Sequence, residues 1–269
     1  MADVGKKNEE ILNFWNDRAN LGELAGTNDF MLTRIEQDFI ESAVPPKTRV
    51  LDIGCGNSSS LIRLAKKSSC RGVGIDFSKE MIQTSKKFVK DAGVDSVVEN
   101  YCDSVPPVPR HYGMFDVVIS NRSLINLSSL EDQEKTVKSV ADVLNPGGMY
   151  LMIECVQDGN DFTNSMREKL ELEPICAPWH NLFFRKEDVF AWQSKEFSIE
   201  QFLHISSTYH FISRVVYAKL AELKGEELKY DSDLNKIAAM LPQQISEFGP
   251  VKAWVWKKID ENGAQAFSS

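Results

Sequence analysis

Short apolar runs rich in β-branched residues alternate, along the first half of the chain, with longer segments whose apolar positions recur at helical spacing. A parallel sheet covered on both faces by helices produces this pattern. The predicted strands are 49–53, 72–76, 97–102, 113–121 and 149–154. A helix opening at Ser58 or Ser59 carries Leu61, Ile62, Leu64 and Ala65 on one buried face. A second runs from a Ser78 cap through Met81, Ile82, Phe88 and Val89 to Gly93. Ser129-x-x-Asp132 is a capping box before a third, whose buried stripe is Val137, Val140, Ala141 and Leu144 and which Asn145-Pro146-Gly147-Gly148 stops.

Ahead of this core, residues 9–44 read as two helices, with Ile11, Leu12, Phe14 and Trp15 on the first and Phe30, Met31, Ile35, Phe39 and Ile40 on the second. Residues 21–29 are a flexible link, and Pro45-Pro46 ends the region. From Cys155 to about Lys195 the alternation breaks, and loops of this kind over a sheet edge carry specificity. The last predicted strands are 199–205, 211–220, running into a helix, and 251–257. In the last, Val251, Ala253 and Val255 alternate with Lys252, Trp254 and Trp256, the pattern of an antiparallel edge strand. Residues 225–249 form a helical insertion with Leu234, Ile237, Ala238 and Leu241 on one face, packed on its own sheet or on a partner chain in a homodimer. The expected organisation is an α/β fold with N-terminal cap helices over 1–44, a core domain over 45–260 with insertions near 156–195 and 221–249, and a frayed tail over 261–269.

Composition narrows the function. At 269 residues the chain holds one large α/β domain, with or without an insertion. A net charge of −8 argues against a broad nucleic-acid footprint, and Lys86, Lys87 and Lys90 read as a solvated helix face. The five cysteines and four histidines show no paired or metal-ligand spacing, so no metal is expected. The first ten residues lack the apolar core of a signal peptide, and no apolar run is long enough to span a bilayer, so the expectation is a cytoplasmic protein with no membrane span.

The candidate chemistry lies where the first strand meets its turn. Gly54 and Gly56 let the backbone bend and lie against a ligand. About twenty residues on, the second strand ends in Asp76, where a carboxylate would grip a ribose diol. The third ends in Asp103-Ser104, so successive strand tips carry Asp52, Asp76 and Asp103. A dinucleotide fingerprint would place a third glycine where Ser59 stands, and a diphosphate would be repelled by these acids. A ligand with a ribose, an ammonium and a sulfonium suits them, which favours S-adenosylmethionine over NAD.

Val50-Leu51-Asp52-Ile53-Gly54-Cys55-Gly56 resembles the first motif of class I S-adenosylmethionine-dependent methyltransferases, and the order of elements out to about residue 260 is similar. Within that superfamily, Phe14-Trp15-Asn16-Asp17-Arg18-Ala19, Leu124-Ile125-Asn126-Leu127 and Ser206-Ser207-Thr208-Tyr209 resemble a bacterial branch of small-molecule methyltransferases often associated with surface-glycan modification. The resemblance implies a Rossmann-like, mostly parallel sheet whose last strand is antiparallel. It implies S-adenosylmethionine as donor and S-adenosylhomocysteine as product. The N-terminal helices would cover the donor, with Arg18 at its methionyl carboxylate and Phe77 or Met81 on the adenine. Cys55, Ser104 and Asn121 complete the expected donor-binding set with Asp52, Gly54, Gly56, Asp76 and Asp103. Taken as residues alone, Arg18 is equally a surface charge and Met81 a core side chain. Asn121 is not followed by Pro-Pro-Tyr, which disfavours the amide and exocyclic-amine acceptors that accompany that motif.

Methyl transfer from a sulfonium is an in-line displacement, so positioning supplies most of the catalysis. A general base is needed only for an acceptor that arrives protonated. His180, in Ala177-Pro178-Trp179-His180-Asn181, is the candidate base, with a structural histidine beside Trp179 as the other reading. Arg122 and Asn126 would orient an acceptor carboxylate or phosphate, Trp179 would stand beside it, and Tyr209 or His210 would line the far wall. The expected function is methyl transfer to an oxygen or nitrogen of a small molecule or glycan precursor. RNA or protein methylation, a non-catalytic subunit keeping the cofactor fold, and a dehydrogenase are the alternatives.

Overall fold

The computed structural model describes residues 2–260, so the expected tail over 261–269 lies outside the described residues. Two helices lead, α1 (Ala2–Arg18) and α2 (Phe30–Ala43), joined through a 3-10 turn at Ala19–Leu24. The core then alternates as β1 (Arg49–Ile53), α3 (Ser59–Ser68), β2 (Arg71–Asp76), α4 (Lys79–Asp91), β3 (Val98–Cys102), β4 (Phe115–Asn121), α5 (Leu130–Val140) and β5 (Leu144–Cys155). The rest comprises α6 (Gln157–Lys169), α7 (Lys186–Ala191), β6 (Phe197–Leu203), the helical run α8 (Ser207–Phe211) to α9 (Tyr217–Lys224), α10 (Asp233–Met240) and β7 (Val251–Lys258).

The described strands form one sheet in the order β3-β2-β1-β4-β5-β7-β6. β1, β2, β3, β4 and β5 pair in parallel, while β7 is antiparallel to both β5 and β6. Central strands read as continuous apolar runs because helices cover both faces, and Val50, Leu51, Val118, Ile119, Leu151 and Met152 are fully buried. The chain leaves β1 for β2 on one side and returns to β4 on the other. This reversal opens a crevice at the carboxyl ends of β1 and β4, where open α/β sheets bind ligands.

The structure departs from the sequence reading in several places. Residues 211–220 are helical, within the run from Ser207 to Lys224, which includes a π-helical segment at Ile212–Val216. The β-branched cluster there suggested a strand, yet Val215, Ala218 and Ala221 are buried at three-residue spacing, one face of a helix. β7 is no edge strand, since β6 pairs on its outer side. Lys252, which shares a face with Trp254 and Trp256, is buried and donates from Nζ to the carbonyls of Glu247 and Phe248 at 2.8 and 3.2 Å. Leu144 opens β5 instead of closing the stripe of α5, pairing with Phe115.

Candidate functional site

β1 delivers Asp52 and Ile53 to the crevice, and the chain then bends at Gly54, whose φ is +72°. A Cβ there would stand 2.3 Å from the Cβ of Ser123, so the bend both requires a left-handed residue and excludes a side chain. The amides of Gly54 and Cys55 both donate to the carbonyl of Ile75 on β2, at 2.8 and 3.0 Å. Gly56 donates to Oδ2 of Asp76 at 3.1 Å, while Ser78 donates to its Oδ1 at 2.9 Å. The acid at the tip of β2 is thereby strapped to the turn after β1. Ser58, one of the two serines expected to open α3, stands at its N-cap but makes no side-chain cap bond; Asn57 Oδ1 instead accepts from the amide of Ser59 at 3.2 Å.

Burial dominates the electrostatics. It pushes the Asp52 carboxyl up to about 7, with the neighbouring Asp76 adding to the effect. Burial raises Asp76 to about 6, against the two amides that donate to it. Asp103, just past β3, accepts from the Ser104 amide at 2.8 Å and from the Tyr112 hydroxyl at 3.1 Å.

These groups border one cavity of about 1570 Å³, larger than a site for a single small molecule usually is. Asp52, Gly54, Cys55, Gly56, Asp76, Phe77, Met81, Asp103, Ser104 and Asn121 all line it, and Arg18 borders it from α1. No protein atom lies within 4 Å of where a Gly56 Cβ would be, so that stretch of backbone is bare toward the cavity. Arg18 donates to the carbonyls of Ala25 and Leu24 and has no carboxylate partner among the described residues.

The residues expected to hold an acceptor divide. Arg122, Asn126 and His180 line the same cavity, whereas Trp179, Tyr209 and His210 do not. Trp179 is 55% exposed and meets the rings of Phe14 and His180 edge-on from outside. Tyr209 is fully buried, its hydroxyl donating to Asp29 Oδ1 at 2.6 Å, and so braces the start of α2. His210 is buried against Gly249 with Nδ1 3.0 Å from the Ser206 carbonyl, and burial, then Arg214, pushes its pKa down to about 3. The far wall expected from these two side chains is therefore part of the core.

His180 stacks on Phe14 at 4.2 Å between centroids and meets Trp15 edge-on. Burial, and then the Arg18 charge, lowers its pKa, so the ring is neutral near pH 7. Its Nδ1 has no hydrogen-bond partner among the described residues. α1 is joined to the floor beneath it by Trp15 Nε1 donating to Asn126 Oδ1 at 3.0 Å. The Asn126 amide in turn donates to the Ser123 carbonyl at 3.1 Å, so its hydrogen-bonding groups are already engaged.

Sequence reasoning missed Glu36 and Glu154. Glu36 is fully buried in the cavity wall, its two oxygens 2.9 and 3.0 Å from the Arg122 guanidinium. One signal was available: Glu36 stands four residues from both Leu32 and Ile40, inside the buried stripe of α2. Glu154, at the end of β5, accepts amides from Ser123, Leu124 and Ile125 at 3.3, 3.0 and 3.3 Å and thus fixes the loop that carries Arg122 and Asn126. Burial raises it to about 7.

Among the described residues, no group of His, Cys, Asp and Glu side chains is gathered as a metal ion would need. No described helix is long and apolar enough to cross a membrane.

A family model described as a methyltransferase domain matches residues 45–205. The sarcosine/dimethylglycine N-methyltransferase of Halorhodospira halochloris is 29% identical over 136 residues, 49% of this chain and 48% of that protein. The human EEF1A lysine methyltransferase 2 is 28% identical over 144 residues, 50% of this chain and 59% of that protein. The chain thus spans about half the length of the curated relatives it matches. In fold it is similar to a Haloferax volcanii chain solved in complex with the Trm112 methyltransferase activator, with a TM-score of 0.58, 14% identity, and coverage of 92% of this chain and 98% of that one.

Proposed function

The chain belongs to the class I S-adenosylmethionine-dependent methyltransferase family, and from that premise we propose that it transfers a methyl group to a nitrogen or oxygen of a small molecule or glycan precursor. The observation that carries this reading is that the glycine bend, the buried acids at the tips of β1 and β2 and the His180 imidazole all line one cavity. Its volume accommodates a donor and an acceptor side by side.

The donor end fits S-adenosylmethionine. Asp76 would take the ribose, the bare backbone at Gly56 would lie along the donor, and Arg18 would meet the amino-acid carboxylate. Phe77 and Met81 would flank the base, beside Asp103 and Ser104. Burial raises the Asp52 and Asp76 carboxyls to about 7 and about 6, so a cationic ligand beside them would favour their ionised forms and a diphosphate would oppose them. When bound, the donor supplies an electrophilic methyl group on a sulfonium.

At the acceptor end, Arg122 is neutralised by Glu36 and Asn126 is tied to Trp15, so neither offers an open cationic or amide handle for a carboxylate or phosphate. The acceptor is accordingly read as neutral or cationic. His180, neutral near pH 7, takes the proton that a hydroxyl or ammonium acceptor must lose. Phe14, Trp15 and Arg18 of α1 line the cavity together with Pro178, His180 and Asn181, and we read a lining drawn from these two segments as favouring a small acceptor over a folded protein.

Isothermal titration with S-adenosylhomocysteine and with NAD tests the donor. Tight NAD binding without the thioether ligand reverses the assignment. A panel of small amines, hydroxylated compounds and lysine peptides, incubated with labelled donor, tests the acceptor. The lysine peptides belong in it because one relative is named for lysine methylation, and label transfer to them alone overturns the small-acceptor reading.

A further inference from the structure

We propose that Asn100 is a positioning residue for the donor site, holding the turn after β1 in shape by reaching across Gly74 to Ser58. The proposal rests on the donor reading above.

In the sheet register, Asp52 on β1 pairs with Gly74 on β2, and Gly74 pairs with Asn100 on β3. Register partners point to the same face, so these residues form a row leading to the turn. Gly74 leaves the middle of the row empty. A Cβ there would stand 2.3 Å from Asn100 Oδ1 and 2.8 Å from Cys55 Sγ, so the space above this glycine is filled by its neighbours. The Asn100 side chain lies in that space and accepts from the Ser58 hydroxyl at 2.9 Å.

Ser58 is the second, independent oddity. It is a buried non-glycine residue with φ +62°, a conformation that needs local support. It heads α3, yet its hydroxyl is directed to β3 instead of capping the helix. The turn is thus held from β2 by the Ile75 carbonyl and by Gly56 to Asp76, and from β3 by Ser58 to Asn100. Asp76 faces the ligand directly, whereas Asn100 does not line the cavity and acts through the turn.

The test uses the full-length protein as Asn100→Ala, Ser58→Ala, the double variant and Ser58→Gly. S-adenosylhomocysteine affinity is measured by titration, hydrogen exchange of amides 54–58 is followed without ligand, and melting temperature is recorded. Each single alanine variant is expected to bind about tenfold more weakly, and the double variant also about tenfold, because both remove one shared bond. Exchange at 54–58 should accelerate in all of them. Ser58→Gly removes the hydroxyl while relieving the left-handed strain, so it should lose affinity like Ser58→Ala without losing melting temperature. Affinities within twofold of wild type, or losses that multiply to about a hundredfold in the double variant, overturn the proposal. Wild-type protein that fails to bind S-adenosylhomocysteine overturns the donor reading and with it the purpose assigned to Asn100; faster exchange in the variants would then mark a purely structural bond.

Discussion

Arg122 and Glu36 form an ion pair inside the cavity wall, with Arg122 Nε 2.9 Å from one carboxylate oxygen and the rest of the guanidinium 3.0 Å from the other. Arg122 holds this position from a left-handed backbone, φ +51°, so strain and desolvated charge coincide at one residue. Removing either partner strands the other. Glu36→Ala or Arg122→Ala should destabilise the fold by about 3–5 kcal/mol, read from denaturant midpoints. The apolar double variant Glu36→Leu/Arg122→Met should recover most of that stability while turnover stays low. An unchanged midpoint in Glu36→Ala would show that the pair contributes nothing to the fold.

Asp76 accepts amides from both Gly56 and Ser78, so it shapes the turn as well as facing the cavity. Asp76→Ala is expected to weaken S-adenosylhomocysteine binding by at least about tenfold, about 1.4 kcal/mol. Titration at constant pH reads this, and wild-type affinity in the variant would displace the ribose from this carboxylate.

For His180 the pKa is lowered by burial and by Arg18, so the neutral ring is present at pH 7 and gains its proton below the ordinary histidine range. Turnover of an acceptor that must lose a proton should therefore fall on acidification, below the ordinary histidine range. His180→Ala should reduce kcat by about 10² to 10⁴ and flatten this acid limb. A rate unchanged across pH removes the histidine from the chemistry and leaves it as an aromatic packing element on Phe14.

Glu154 gives a pH effect on stability. Its carboxyl is raised from 4.5 to about 7 by burial, so the folded state favours the protonated form. Its contribution is complete below pH 4.5 and is lost as the pH rises through about 7. Glu154→Gln cannot ionise but gives up one of the two oxygens that accept these amides, so it should be less stable than wild type near pH 4.5 and gain on it by on the order of 3 kcal/mol between pH 4.5 and pH 8. Denaturant midpoints at the two pH values decide this, and a difference between variant and wild type that does not change with pH contradicts it.

Much of the parallel half of the sheet was legible because its strands are buried on both faces and its turns demand particular residues. The run Val50 to Ile53 ending in Gly54 needs no partner to be recognised, since a left-handed bend beside Ser123 admits only glycine. The carboxyl-end acids follow from the same regularity. Residues 211–220 misled because β-branched side chains suit either state when a packed helix face overrides local preference. The burial of Lys252 was not legible, because alternation says which residues share a face, not whether that face meets water.

Local residue order thus determined the βα alternation, the glycine bend and the acids at the strand tips, each set by backbone geometry or by periodicity within a few residues. Only the tertiary structure decided that Glu36 from α2 meets Arg122 after β4, that Tyr209 and His210 turn into the core, and that His180 stacks on Phe14 above the cavity. These pairings join residues far apart in the chain, and their free energies come from desolvation and packing that exist only once the elements have met.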